Sequence, residues 1–189
     1  MFNNKIEKNI IDLLQIISSS KFNTYLVGGC LRDLILGHTP KDLDILVEDE
    51  IDAFSKFLSK SLNSKIIKFQ NHGFETFRII NSKTKLNIDI TKYSKGNDGL
   101  INDLSMRDFT INSMALNLND EKFDFDKILD PFNGLQDLND KIIRYVSKDL
   151  VLNDPLRLLR SVRLASKLDF NIEDDTKKHF MINSEKINF

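Results

Sequence analysis

Cysteine is almost missing: Cys30 stands alone in 189 residues, so no internal disulfide is available. Three scattered histidines, His38, His72 and His179, lack the spacing of a zinc site. Both facts make a reducing cytoplasm the expected compartment. No apolar run nears the roughly 18 residues that a membrane span requires. Met1 to Asn9 alternates polar and charged residues where a signal peptide is apolar, so neither membrane insertion nor secretion is expected. An excess of one charge is also lacking. The 27 Lys and Arg against 28 Asp and Glu leave a net charge of -1, so any contact with a polyanion must be local or borrowed from elsewhere. What is present is 41% hydrophobic side chains, enough for one core with an appendage, and no internal repeats or low-complexity tracts.

Apolar periodicity divides the chain into elements. Ile6, Ile10, Leu13, Leu14 and Ile17 recur at helical spacing until Ser18 to Ser20 break the pattern. Thr24 to Val27 reads as a buried strand, Gly28-Gly29 as a turn, and Leu31 to Leu36 as a helix. A strand over Leu43 to Val47 and a helix over Ile51 to Leu62 follow. Three strands, Lys65 to Phe69, Phe74 to Ile80 and Lys85 to Thr91, joined by turn-rich pieces, suggest an antiparallel meander. Lys92 to Asp103 is polar and reads as a mobile loop leading into a helix over Asp108 to Leu116. Ile142 to Val146 reads as a further strand. From Asp154 the chain is helical again, with Pro155 at a first helical position and a last helix over Glu173 to Met181. The sum is an α+β fold, a mixed sheet with helices and a helical C-terminal extension.

Four groups of residues carry candidate chemistry. In Asp42-Leu43-Asp44 the period of two puts both carboxylates on one strand face, where they either bind a hard divalent cation such as magnesium or line a solvated strand end. Gly28-Gly29-Cys30-Leu31-Arg32-Asp33 is a glycine pair at a strand-to-helix junction, where helix N–H groups and Arg32 suit a phosphate. By itself that pair reads more simply as a tight turn with Arg32 paired to Asp33. The two motifs together describe a triphosphate beside a metal. Asp154, Arg157, Arg160 and Arg163 form a row along a helix. Such a row is either a salt-bridged surface or, with an Asp acceptor beside an Arg donor, an edge with the hydrogen-bond order that meets cytosine or adenine. In Arg107-Asp108-Phe109-Thr110-Ile111-Asn112-Ser113-Met114-Ala115, polar groups cluster at a helix start, with Asp108 or Thr110 as a cap and Phe109, Ile111 and Met114 as core.

GGCLRD with DLD, RDFTINSMA, DPFNGLQDLNDKIIR and NDPLRLLRSVRLASKLDF follow one another from about Tyr25 to Phe170. In this order they resemble the class II tRNA nucleotidyltransferases, the family of CCA-adding enzymes and bacterial poly(A) polymerases. The resemblance implies a nucleotidyltransferase head with a mixed, antiparallel-rich sheet flanked by helices over residues 1–146, and the start of a helical neck over 147–189. It implies that Asp42 and Asp44 are catalytic and bind magnesium, that Gly28, Gly29 and Arg32 bind the triphosphate, and that Arg107 contacts nucleotide. Asn112 matches a position near the ribose, Asp154, Arg157, Arg160 and Arg163 match the base- and phosphate-binding surface of the neck, and Asp89 matches a third acidic position. The implied reaction moves a nucleoside monophosphate from CTP or ATP to the 3′-hydroxyl of a tRNA with release of pyrophosphate. Magnesium held by the two aspartates favours the attacking oxygen and the leaving pyrophosphate.

Phe132, Asn133 and Gly134 are expected to shape the head. Met106 stands where the family usually has a first arginine, and Asn153 where it usually has glutamate. The short stretch between Asp89 and Arg107 resembles enzymes that add only the two cytidines. The family's C-terminal body and tail, which hold the tRNA, have no counterpart in these residues, so a partner chain or a further C-terminal region is expected to supply RNA binding. Poly(A) addition, a non-catalytic nucleotide-binding head and a metal-dependent phosphohydrolase are the competing readings.

Overall fold

The structure is a computed structural model that describes residues 6–71, 74–81, 86–120, 123–148 and 156–183. It comprises two compact units, one of residues 1–100 and 115–129 and one of residues 101–114 and 130–189.

The first unit is a six-stranded sheet of order β3-β4-β5-β2-β1-β6. Its strands are β1 (Thr24–Val27), β2 (Asp42–Glu48), β3 (Lys65–Asn71), β4 (Phe74–Ile80), β5 (Asn87–Tyr93) and β6 (Ala115–Asn117). Only β2 and β5 pair in parallel; the other neighbours are antiparallel, so the expected meander of β3, β4 and β5 is present inside a mixed sheet. Helix α1 (Lys8–Ser18) buries Ile10, Leu13, Leu14 and Ile17, as its spacing requires. Helix α3 (Ile51–Leu62) lies on β2 to β5 and carries the buried Phe54 and Leu58, with the Phe22 ring edge-on to Phe54. Leu43, Ile45, Ile79, Ile88 and Ile90 form the buried side of the central strands. Alternation therefore turns Asp42, Asp44 and Asp89 to the opposite side. Helix α2 (Gly28–Ile35) follows β1 directly, beginning at the glycine pair rather than three residues later.

Helix α4 (Asn97–Ser105) occupies most of the expected Lys92–Asp103 loop. Its polar composition hides a short apolar repeat, because Leu100 and Leu104, four apart, are both buried. The expected helix over Asp108 to Leu116 is instead a 3-10 turn at Thr110–Asn112 followed by β6. The local side chains bond backbone in competition with a helix: Asp108 Oδ1 accepts from the Phe109 N–H, and Ser113 Oγ donates to the Phe109 carbonyl. Pairing with β1 then draws Ala115–Asn117 into the sheet.

The second unit holds α5 (Gly134–Asn139), β7 (Ile142–Ile143), α6 (Leu156–Leu168), β8 (Asn171–Ile172) and α7 (Asp174–Asn183). β7 is shorter than the expected Ile142–Val146 strand; it pairs in parallel with β8, and Tyr145 instead bridges to Phe109. Among the described residues no helix is long and apolar enough to cross a membrane.

Candidate active site

Asp42 and Asp44 open β2, Asp42 exposed and Asp44 half-buried, on one face as the period of two requires. Asn87 Nδ2 donates to Asp42 Oδ1 at 2.8 Å. β1 ends beside them, with Val27 opposite Asp44 in the antiparallel register. There the chain turns into α2 through Gly28 at φ 72°, a backbone region that costs glycine nothing. Cys30 ties the two elements together. Its thiol donates to the Val27 carbonyl at 2.9 Å and its Sγ accepts the Asp44 N–H at 3.2 Å. The start of α2, whose first N–H groups have no partner within the helix, is thus fixed to the strand that carries the carboxylates.

Arg32 is paired with its neighbour Asp33. Nε and Nη2 donate to Asp33 Oδ1 at 2.9 and 2.6 Å, with Arg32 5% and Asp33 9% exposed. A buried charge needs such a partner. A Cβ on Gly29 would lie 3.3 Å from Arg32 Nη2, so the missing side chain makes room for the guanidinium against the turn.

Asp89 sits beside Asp44 in the parallel register of β2 and β5, and Arg78 sits opposite Asp89 on β4. Arg78 Nε and Nη2 each donate to one oxygen of Asp89, both at 2.6 Å. The hydrogen bonds to Asp89 push the Arg78 guanidinium's pKa above its ordinary value, and the charges of Asp89, Asp42 and Asp44 add to the rise. Sequence reasoning missed Arg78. The available signal was a charge set between Phe77 and Ile79 in a largely apolar strand, a position that calls for a partner.

The donor set suits a hard cation. Asp42 and Asp44 offer carboxylate oxygens on an accessible face, as magnesium prefers, with room for water and phosphate. Among the described residues no group of three His, Cys, Asp or Glu converges as a metal centre.

The remaining expected residues lie in the second unit. Arg107 Nε and Nη2 donate to Asp103 Oδ2 at 3.0 and 2.9 Å. Asn112 Nδ2 donates to Asp108 Oδ1 at 3.1 Å, and Arg160 Nη2 lies 3.0 Å from Asp108 Oδ2. Arg157 Nη2 reaches the Met106 carbonyl at 3.4 Å, and Arg163 is exposed on α6. Arg160 and Arg163 of the expected row are both exposed on α6, and Arg160 also pairs with the buried Asp108. Asp154, with its neighbours Asn153 and Pro155, lies outside the described residues. The third motif is a scaffold. Asp130 accepts the Gly134 and Leu135 N–H groups at 2.7 and 2.9 Å, and Asn133 takes φ 59° to start α5. Asp137 accepts Thr110 Oγ1 at 2.6 Å and Arg144 Nε at 3.1 Å, and Arg144 continues to Glu173.

A family model described as the poly A polymerase head domain matches residues 24–144. The A-adding tRNA nucleotidyltransferase of Aquifex aeolicus is 35% identical over 164 residues, 82% of this chain and 19% of that protein. The CCA-adding enzyme of Streptococcus mutans is 35% identical over 178 residues, 88% of this chain and 42% of that protein. A solved structure of the Thermotoga maritima CCA-adding enzyme complexed with tRNA_CCA superposes with a TM-score of 0.83 at 31% identity, over 96% of this chain and 43% of that one. The chain spans less than half the length of these relatives.

Proposed function

The chain belongs to the class II tRNA nucleotidyltransferase family, and from that membership we propose that it is the nucleotide-transferring part of an enzyme that adds C, A or both to the 3′ end of tRNA. Residues 1–146 are read as the head and 147–189 as the beginning of the neck. The observation that carries the reading is the joint at Cys30, which fastens the glycine turn of GGCLRD to Asp44 of DLD. A phosphate-suited turn and a cation-suited carboxylate pair are thereby one rigid piece.

In this reading Asp42 and Asp44 hold magnesium, which when bound supplies charge stabilisation for the attacking 3′-oxygen and the leaving pyrophosphate. Gly28, Gly29, Arg32 and the N–H groups that open α2 receive the triphosphate, with Asp33 holding Arg32 against that turn. Arg107, Asn112, Asp154, Arg157, Arg160 and Arg163 are assigned to nucleotide and base recognition, with tRNA, CTP and ATP as substrates. The resemblance to a relative complexed with tRNA_CCA supports the RNA substrate. The buried Cys30 thiol, outside any disulfide, fits a reducing cytoplasm.

Relatives named for A addition and for CCA addition stand side by side, so the order of nucleotides is decided by primer extension. A tRNA lacking its terminal CCA, and one ending in CC, are offered with magnesium and CTP or ATP, separately and together. Growth by C, by A or by CCA that disappears in Asp42→Ala/Asp44→Ala establishes the transferase and its specificity. A long A tail from ATP alone identifies a poly(A) polymerase instead. Bound nucleotide without growth on any primer contradicts catalysis by this chain and favours a non-catalytic head.

A further inference from the structure

Asp44, Asp89 and Arg78 follow one another across three adjacent strands, β2, β5 and β4, in lateral register on one face. Neighbouring strands lie about 4.8 Å apart, so Asp44 and Asp89 are close like charges that need a cation between or beside them. The protein supplies one. The Arg78 fork takes both oxygens of Asp89, the geometry in which a guanidinium pairs most strongly with a carboxylate. The fork has its own support on the far side, where the Phe69 ring of β3 lies 5.4 Å from the guanidinium carbon. Asp89 is the more enclosed partner, its side chain 18% exposed against 38% for Arg78.

We propose that Arg78 is a positioning residue that withholds Asp89 from the cation site and leaves that site to Asp42 and Asp44. The proposal rests on the reading of those two aspartates given under the proposed function. A divalent ion drawn to Asp89 would meet the guanidinium already held there, so Asp42 and Asp44 are the preferred oxygens. The arrangement also lowers the negative charge that an incoming triphosphate meets. Three carboxylates and one guanidinium present a net charge of -2 where three carboxylates alone present -3, and the substrate is itself a polyanion.

Manganese binding to the whole chain, followed by the loss of the free-ion electron paramagnetic resonance signal, tests this without reference to turnover. Asp44→Asn is expected to weaken manganese binding by about tenfold or more, as loss of a ligand should. Asp89→Asn is expected to weaken manganese binding far less than Asp44→Asn does, by about threefold at most, because it removes no ligand and only unpairs the Arg78 charge beside the site. Arg78→Leu is expected to tighten binding by about tenfold as a third carboxylate becomes available. Arg78→Leu/Asp89→Asn then returns to the wild-type value, and Arg78→Lys, which keeps the charge, stays near it. A purely structural arginine would not give this Asp89-dependent gain. If Asp89→Asn weakens manganese as much as Asp44→Asn does, Asp89 is already a ligand and the Arg78 assignment is overturned while the Asp42 and Asp44 reading stands. If Asp44→Asn has no effect, that underlying reading falls and this proposal with it. The Asp89→Asn arm decides even where Arg78→Leu fails to fold.

Discussion

In the first unit Asp42, Asp44, Asp89 and Arg78 share one open face of the sheet, opposite the buried Leu43, Ile45, Ile79 and Ile88. Both units also bury polar side chains. In the first, Arg32 and Asp33 pair beside the glycine turn; in the second, Asp108, Thr110, Ser113 and Asp137 hold backbone turns and arginines. Under the proposed function the polar residues of GGCLRD and DLD frame a place for a ligand, whereas many of those in RDFTINSMA and DPFNGLQDLNDKIIR hold backbone and arginines. A motif rich in charge is therefore not uniformly a motif of contacts: in the second unit a good part of it is bound to backbone and arginines beside a core of Phe109, Ile111, Met114, Leu138 and Ile143.

The largest effect should fall on chemistry alone. Asp42→Ala/Asp44→Ala is expected to cost about 10³-fold or more in nucleotide transfer, with the melting temperature essentially unchanged because both side chains are on the open face. A melting temperature that collapses with activity would erase the distinction between working and structural charges.

For stability the order is set by what is buried. Phe54, 0% exposed on the buried face of α3, should cost about 3–5 kcal/mol of stability on change to Ala. Asp137→Ala should cost about 2–3 kcal/mol, since it strands the Thr110 hydroxyl and one side of Arg144. Gly134→Ala should cost about 1–3 kcal/mol, because a Cβ there would lie 2.3 Å from the Thr110 carbonyl. Urea unfolding of each variant checks the series, and a neutral Asp137→Ala would show that the second unit does not depend on its buried charges.

The smallest effect concerns pH. Glu48 accepts the Gly96 N–H at 2.9 Å and Asn23 Nδ2 at 2.7 Å, and these bonds, the backbone one first, hold its carboxyl below the usual range. A depressed carboxyl stabilises the fold above the unfolded pKa of about 4.3 and loses that contribution as pH falls through the lower folded value. Glu48→Gln should therefore flatten, slightly, the acid side of a melting-temperature profile below about pH 4.3.

The same contrast governs what was legible in the sequence. The helices α1 and α3, the meander and the D-x-D face follow from apolar periods of 3.6 and 2, which a linear reading detects. Residues Asp108 to Leu116 were misread as a helix because Asp108 and Ser113 spend their side chains on nearby backbone and β1 claims Ala115–Asn117, a long-range event without a local period. The helix over Asn97–Ser105 was hidden by its polar composition. At the site, the carboxylates and the glycine turn were legible as motifs. Arg78 was not, because its meaning comes from the register of β4 against β5. The joining role of Cys30 was equally invisible, since it depends on a hydrogen bond between residues 14 positions apart.

Under the proposed function, nucleotide transfer depends on the carboxylate pair at the start of β2. Pyrophosphate release from CTP and ATP, measured with magnesium and a tRNA lacking its terminal CCA, tests it most directly. Release that requires the tRNA and is abolished in Asp42→Ala/Asp44→Ala, while the variant keeps its wild-type melting temperature, is the predicted result. Release that persists in a folded double variant would contradict the account.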